Sequence, residues 1–212
     1  MNRRAFLGAT VATTAAAVAG CTALFPASLP DELEGVDGDA DQLPTPTLGD
    51  GGVTVEVYED LGCPGCQEFQ RTVMPELEAD LLETERATYH HYDFPLPADD
   101  RSIAAANAAR AVQDDTRTDD EPNGAFFEYK RTVMETDDWS DDRLVDLAED
   151  EGADPVVVGD ALEEDAYYPT LVADWNRGDD RGVTQTPTVL VDGEEVDDPT
   201  AEEIGAAVDE AE

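Results

Sequence analysis

The sequence predicts an α/β fold in which a helical block, about residues 98–180, is inserted between two halves of a small sheet. Three observations carry this reading. A β-branched run, Val53-Thr54-Val55-Glu56-Val57-Tyr58, gives way to a predicted helix that opens on Cys63-Pro64-Gly65-Cys66. A second apolar run, Val189-Leu190-Val191, follows Thr186-Pro187-Thr188 and ends in an Asp192-Gly193 turn. The stretch between them is rich in alanine and in helical spacing.

The N-terminus begins Asn2-Arg3-Arg4-Ala5-Phe6-Leu7, a twin-arginine start, and continues as a weakly apolar run interrupted by Thr10, Thr13 and Thr14. The run ends at Gly20, short of the roughly 18 or more apolar residues that span a bilayer, so residues 1–20 read as an export signal. Val18-Ala19-Gly20-Cys21 resembles a lipobox, in which the cysteine becomes the lipidated first residue of the mature protein. A two-chain lipid on Cys21 would anchor stably where a single chain would not. The alternative is a cleaved, unlipidated signal with Cys21 incidental. Residues 21–52 carry Pro26, Pro30, Pro44 and Pro46 and end in Gly49-Asp50-Gly51-Gly52, a composition that reads as a flexible spacer. Residues 53–212 are the folded unit, about 160 residues and a normal size for one core.

Within that unit the first strand covers 53–58 and the helix after it runs from about Pro64 to Leu82. Phe69, Val73, Leu77 and Leu81 recur at four-residue intervals and follow Cys66 at three, which puts Cys66 on the buried face and Cys63 near the exposed rim. Pro75 should kink the helix. A second strand is predicted over Ala87 to Phe94, stopped by Pro95 and Pro97. Helices follow at Ile103–Val112, at about Asn123–Glu135, from an N-cap at Ser140, and over much of 154–177. After the 186–191 strand and its turn, Glu194-Glu195-Val196 returns briefly. The last helix is capped by Thr200 or Asp198 and turns Ile204 and Val208 inward. The order is β, α, β, helical block, ββ, α.

Composition sets the surroundings. Twelve Lys and Arg against 52 Asp and Glu give a net charge of −40, and removal of residues 1–20, which hold Arg3 and Arg4 and no acid, leaves −42. Such a chain repels itself in dilute buffer and does not bind nucleic acid or anionic lipid through its surface. Molar salt shortens the Debye length to about 3 Å and removes most of that repulsion. The acids are spread along the whole chain and Lys130 is its one lysine, a pattern similar to proteins of salt-loving archaea. The 41% hydrophobic content is that of an ordinary globular domain, against a disordered acidic tail.

The chain has three cysteines, and two of them form the chemistry-bearing motif. Thiols two residues apart on the first turn of a helix can close a small disulfide ring, and the unpaired N–H groups there stabilise a thiolate on the first sulfur. Pro64 is pre-set for the first helical position and leaves the N–H groups of Gly65 and Cys66 facing that sulfur. Half of a structural zinc site is the alternative, but no second cysteine pair completes it. His90 and His91 point to opposite faces of a strand and cannot easily chelate together. Trp139, Trp175, Tyr167 and Tyr168 read as core or groove lining.

Asp60-Leu61-Gly62-Cys63-Pro64-Gly65-Cys66, with Phe69 and Pro75-Glu76-Leu77 after it, resembles the DsbA-like branch of the thioredoxin superfamily. The alanine-rich helix, Phe126-Phe127-Glu128-Tyr129, and Gly182-Val183-Thr184-Gln185-Thr186-Pro187-Thr188 continue the likeness over roughly 53–211. The resemblance implies a thioredoxin-like fold with an inserted helical subdomain. It implies that Cys63 attacks and leaves and that Cys66 resolves the mixed disulfide, the pair itself being the redox group in place of any cofactor. It also implies that Thr186-Pro187 is a cis-proline lying against the disulfide, with Pro64, Gly65, Thr186 and Pro187 meeting the substrate.

One departure stands out. Many relatives carry a buried carboxylate six residues before the first cysteine, where this chain has Val57. Glu56 and Glu59 are read as odd-step neighbours with no need to face the sulfurs, which leaves proton transfer to water or an unidentified acid. Pro64-Gly65 adds no cation beside the first thiol, so its disulfide should be less oxidising than that of the strongest oxidants in the family. These readings imply a membrane-anchored oxidoreductase on the outer face of the cell, acting on cysteine-containing exported proteins and recycled by a membrane quinone-linked or thioredoxin-like partner. The alternatives are a reductase or isomerase for one dedicated partner, and a lipoprotein that carries copper or zinc on Cys63 and Cys66.

Overall fold

A computed structural model describes residues 27–96 and 98–212. Its sheet contains β1 (Thr47–Leu48), β2 (Val53–Glu59), β3 (Ala87–Asp93), β4 (Thr188–Val191) and β5 (Glu194–Glu195), in the spatial order β1-β3-β2-β4-β5. The central strand β2 runs parallel to β3 and antiparallel to β4, pairing Val57 with both His91 and Val189. β4 and β5 are joined by the Asp192-Gly193 turn, where both residues have positive φ, as a two-residue hairpin of this kind requires.

Alternation along β2 decides what lies on each face. Val53, Val55 and Val57 share an apolar cluster with Phe69, Leu77 and Leu81, and with Ile204 and Val208 of the last helix, α8 (Ala201–Ala211). Tyr58 points the other way, into a cluster with Phe94 and Trp175, whose rings stack at 5.2 Å. Thr200 caps α8, its hydroxyl accepting from the Glu203 N–H at 3.2 Å.

The helix after β2 is broken into α1 (Pro64–Thr72), α2 (Met74–Leu77) and a π-helical turn Glu78–Leu82. The break at Val73 lies two residues before Pro75, which has no N–H to continue the ladder and fits only in a first turn. The helical block comprises α3 (Ser102–Thr116), α4 (Phe126–Met134), α5 (Asp141–Asp150) and α6 (Pro155–Glu164), and α7 (Tyr168–Asp180) leads back to the sheet. Asp154 caps α6 by accepting from the Val156 N–H, whereas Ser140 precedes α5 without a side-chain cap bond. Asp165, in the left-handed region at φ 53, separates α6 from α7.

The expected flexible spacer over 21–52 is corrected across its described part. Thr47–Leu48 adds a strand antiparallel to β3, and Leu33 is fully buried among Ile103, Ala106, Leu171 and Val172. Gln42 donates to the Ala166 carbonyl and accepts from Thr170, which pins the segment to α7. Proline and aspartate made the stretch look unable to fold; it has no core of its own and uses isolated apolar residues, Leu33 and Leu43, to complete the core of the domain.

Leu33→Ala should therefore destabilise the protein by about 2–5 kcal/mol, as for any buried leucine, in chemical denaturation. A spacer residue would give no measurable change.

Candidate active site

Cys63 occupies the N-cap position of α1, with extended backbone at φ −76 and ψ 121, and Pro64 is the first helical residue. The Cys63 N–H donates to the Asp60 carbonyl at 3.0 Å, closing a tight turn out of β2, and the Gln67 N–H returns to the Cys63 carbonyl at 3.0 Å. Both Cys63 and Cys66 are present as thiols and both are buried. Burial of Cys63 departs from the expected exposed rim, for a reason that helix periodicity does not contain. The Thr186–Pro187 segment folds across the first turn of α1, and the Cys63 thiol donates to the Thr186 carbonyl at 3.3 Å.

The Thr186–Pro187 bond is cis. A side chain at Gly65 would meet the Pro187 ring at 3.2 Å and Cys63 Sγ at 3.6 Å, so glycine permits the close approach of this segment to the cysteine helix. Cys63, Pro64, Gly65, Cys66, Thr186 and Pro187 thus converge at one place. Cys21 and the whole of residues 1–20 lie outside the described residues. A groove of about 350 Å³ runs alongside, floored by Phe69, Val73, Pro187 and Pro199 and edged by Glu68 and Asp198.

Two adjacent carboxylates sit under the pair. Glu59 is fully buried, and its Oε2 accepts from Tyr89 Oη at 3.0 Å and from Lys130 Nζ, with His91 Nδ1 at 3.1 Å, while Oε1 has no partner among the described residues. The expectation that Glu59 need not face the sulfurs is corrected: it is an even step from Val57 and so shares the face of the position where many relatives carry their acid. Burial opposes its ionisation, but the Lys130 ammonium and His91 overcome that and hold the carboxyl at about 2. Burial pushes the Cys66 thiol well up, and the hydrogen bond with Cys63 and the negative charge of Glu59 add to the rise.

Asp60 behaves in the opposite way. Its carboxylate accepts from the N–H groups of Gly62 at 2.7 Å and Leu96 at 2.9 Å, yet with no cation against it among the described residues burial pushes it up to about 7, to which Cys63 adds. Glu59, Lys130, His91 and Asp60 were not among the site residues expected from sequence. One signal pointed to one of them, the two-residue step from Val57 to Glu59 on the strand; Lys130 is 1% exposed, which is rare for lysine without a buried partner, but nothing in its local sequence shows it. Both nitrogens of His91 face carboxylates, and His90 stacks on Tyr92 on the other face of the strand. Among the described residues no group of three or more His, Cys, Asp or Glu side chains is arranged to hold a metal.

These shifts fix how stability depends on pH. Asp60 at about 7, and Asp174, which burial pushes up, hold protons in the folded chain at pH values where the unfolded chain has lost them. Their contribution to stability is full below about pH 4 and falls as pH rises through the folded values. Glu59 has the opposite sign and loses its contribution only as pH falls from about 4.5 towards 2. Asp60→Asn should flatten the decline in Tm between about pH 4 and 7; a decline as steep as in the wild type would assign it to other groups.

Residues 46–210 match the family model described as Thioredoxin. The chain is 24% identical over 156 residues to the probable disulfide bond formation protein D of Bacillus cereus, covering 69% of each chain. Among solved structures it is similar to DsbA of Chlamydia trachomatis, with a TM-score of 0.70 at 22% identity, covering 82% of this chain and 93% of that one. It is also similar to oxidised BdbD of Bacillus subtilis, with a TM-score of 0.70 at 21% identity and 82% and 97% coverage. MdbA, a thiol-disulfide oxidoreductase from Corynebacterium diphtheriae, follows at 0.60 and 22%, with 74% and 83% coverage. With a cysteine pair opening the helix after the central strand and a cis-proline segment laid across it, the chain belongs to the thioredoxin family and has a DsbA-like fold.

Proposed function

We propose that this protein is a protein-disulfide oxidoreductase that forms or exchanges disulfides in cysteine-containing exported proteins. The observation that carries the reading is the convergence of Cys63, Cys66 and the Thr186–Pro187 segment at the start of α1, above a buried carboxylate. In the oxidising direction a client thiolate attacks Cys63 Sγ and the Cys63–Cys66 bond breaks. Cys66 leaves as a thiolate and takes a proton. A second client thiolate then attacks the client sulfur, Cys63 leaves, and two electrons have passed from client to pair. When the mixed disulfide stalls, Cys66 releases the client by attacking Cys63. The groove beside Pro187 offers the client an apolar floor next to the reacting sulfur.

A reductase or isomerase would use the same atoms, and the potential separates the readings. The α1 N-terminus supports a Cys63 thiolate and Pro64-Gly65 adds no cation between the cysteines, which favours a potential between those of thioredoxin and the strongest oxidant of the class, about −270 to −120 mV. Cys63→Ser should abolish exchange, and Cys66→Ser should accumulate mixed disulfides with clients on non-reducing gels. Equal trapping by both variants would remove these roles, and a potential at or below about −270 mV would favour the reductase reading. A copper- or zinc-carrying role predicts metal retained through purification and little redox turnover instead.

The twin-arginine start, the lipobox-like Val18-Ala19-Gly20-Cys21 and the net charge of −40 support export, a lipid anchor on Cys21 at the outer face of the membrane, and work in concentrated salt. A membrane quinone-linked or thioredoxin-like partner would recycle the pair. Cys21→Ser should release the protein from the membrane without changing the redox activity of the purified domain. Dialysis from molar to about 0.1 M salt should lower Tm through carboxylate repulsion, and a flat Tm would contradict adaptation to salt.

A further inference from the structure

The segment ahead of the sheet does more than a spacer would. Residues 27–45 precede the part of the chain that carries the family likeness, yet they are held to the domain at several points. Ala27 and Leu29 pack on the cluster of Tyr58, Phe94, Leu96, Trp175 and Val183, and Leu33 is fully buried against α3 and α7. The Asp39 N–H donates to the Pro169 carbonyl at 2.9 Å, and Gly38 lies so close to α7 that a side chain there would meet the Ala173 nitrogen at 3.1 Å. Gln113 donates to the Pro44 carbonyl at 2.8 Å before Thr47 enters the sheet. The point where this segment begins is informative. Tyr58 and Tyr92, both in the cluster under Ala27 and Leu29, are the next-to-last residues of the parallel strands β2 and β3, so the cluster lies at the end of the sheet from which the cysteine helix starts. Two hydrogen bonds join that cluster to Cys63: the Leu96 N–H donates to Asp60 Oδ2 at 2.9 Å, and the Cys63 N–H donates to the Asp60 carbonyl at 3.0 Å.

We propose that residues 27–48 are a strap that sets the reach of the anchored active site, holding the Cys63 end of the domain at the membrane surface so that its exchange partners are thiols of membrane-anchored proteins. The inference rests on the lipid anchor on Cys21 and on the disulfide-exchange reading. Five residues, 22–26, separate Cys21 from the docked chain. Six peptide steps span at most about 20 Å, whereas a free spacer over 21–52 would reach about 110 Å at full extension and about 30 Å root-mean-square. A domain of this size has a radius of gyration of about 16 Å, so the tether is of the order of one domain radius. With the docked chain beginning at the cysteine end, the domain can tilt about its anchor but cannot carry Cys63 far into the medium. Attraction plays no part, because a chain with a net charge of −40 has none for anionic headgroups, and molar salt screens the repulsion to within about 3 Å. Chain length alone fixes the distance. A thiol anchored on the same membrane then meets Cys63 at a raised effective concentration, while a freely diffusing client gains nothing from the strap. The exchange itself is unchanged, and the strap decides which thiols reach it.

The test lengthens the tether and leaves the strap docked. Full-length lipidated protein carrying a Gly/Ser insertion of about 24 residues between Pro26 and Ala27 is compared with the wild type on phosphatidylcholine vesicles in molar salt, with Tm as the folding control. The chain's two tryptophans report the height of the cysteine end, since the Trp139 ring lies 3.2 Å from where a side chain on Gly62 would sit, and Trp175 belongs to the cluster under Leu29. Energy transfer from them to a dansyl-labelled headgroup should be strong in the wild type and fall by about threefold once the inserted chain, about 27 Å root-mean-square by itself, is added. Single-turnover oxidation of a reduced two-cysteine peptide gives the second reading. Attached to the same vesicles by a short lipid anchor, the peptide should be oxidised about tenfold more slowly by the insertion variant, because effective concentration falls as roughly the −3/2 power of tether length. Free in solution, it should be oxidised equally fast by both proteins. Equal energy transfer and equal rates on the anchored peptide would overturn the strap, and so would recovery of the wild type from cells without a lipid on Cys21. Failure of the disulfide-exchange reading is distinct: it would show as free peptide left unoxidised by both proteins.

Discussion

The buried pair between Lys130 and Glu59 is the contact on which the arrangement turns, because it ties the inserted helical block to the central strand directly beneath the cysteines. Lys130 comes from α4, Glu59 from the end of β2, and Tyr89 and His91 from β3 complete the set around one carboxylate oxygen. Removing one partner of such a pair strands the other charge in a dry interior, at a cost of about 3–5 kcal/mol. A hydrophobic replacement of both could be as stable. Retention of the charges therefore points to what they do for Cys66 rather than to stability alone.

The same logic governs how the few bases of this chain are spent. With 52 acids available, exposed ion pairs such as Arg71–Glu68 contribute little and are screened by salt. Arg110 and Lys130, each 1% exposed, are instead placed among buried carboxylates, where screening does not reach. Arg177 and Arg181 both close on Glu56, on the sheet face opposite the cysteine helix. The acidic surface answers to the solvent, and the interior keeps a separate electrostatic organisation that ionic strength leaves alone.

Much of the fold was legible because it rests on local periodicity. The alternation of β2, the spacing from Cys66 to Leu81 and the Asp192-Gly193 turn each specify their own conformation. Three features resisted for a common reason, that their partners are distant in sequence. Leu33 and Leu43 show no period, and their burial depends on α3, α6 and α7. The cover over Cys63 comes from Thr186, 123 residues away. Lys130 meets Glu59 across 71 residues, and neither residue carries a local sign of it. The parity of Glu59 was available from the strand alone, since two steps from Val57 return to the same face.

The two consecutive acids show how far environment outweighs identity. Glu59 and Asp60 are neighbours in sequence and are both buried, yet one is held at about 2 and the other is pushed up to about 7. The difference is the cation. Lys130 and His91 converge on Glu59, whereas Asp60 receives only neutral donors, which offset burial in part. A strand end followed by a tight turn makes this possible, because Glu59 points with β2 into the ionic layer while Asp60 turns back to hold the loop that presents Cys63. A fixed negative charge beneath Cys66 and a titrating one beside Cys63 give the two sulfurs unlike surroundings, and unlike surroundings are what let one thiol act as the outward nucleophile and the other as its buried resolving partner.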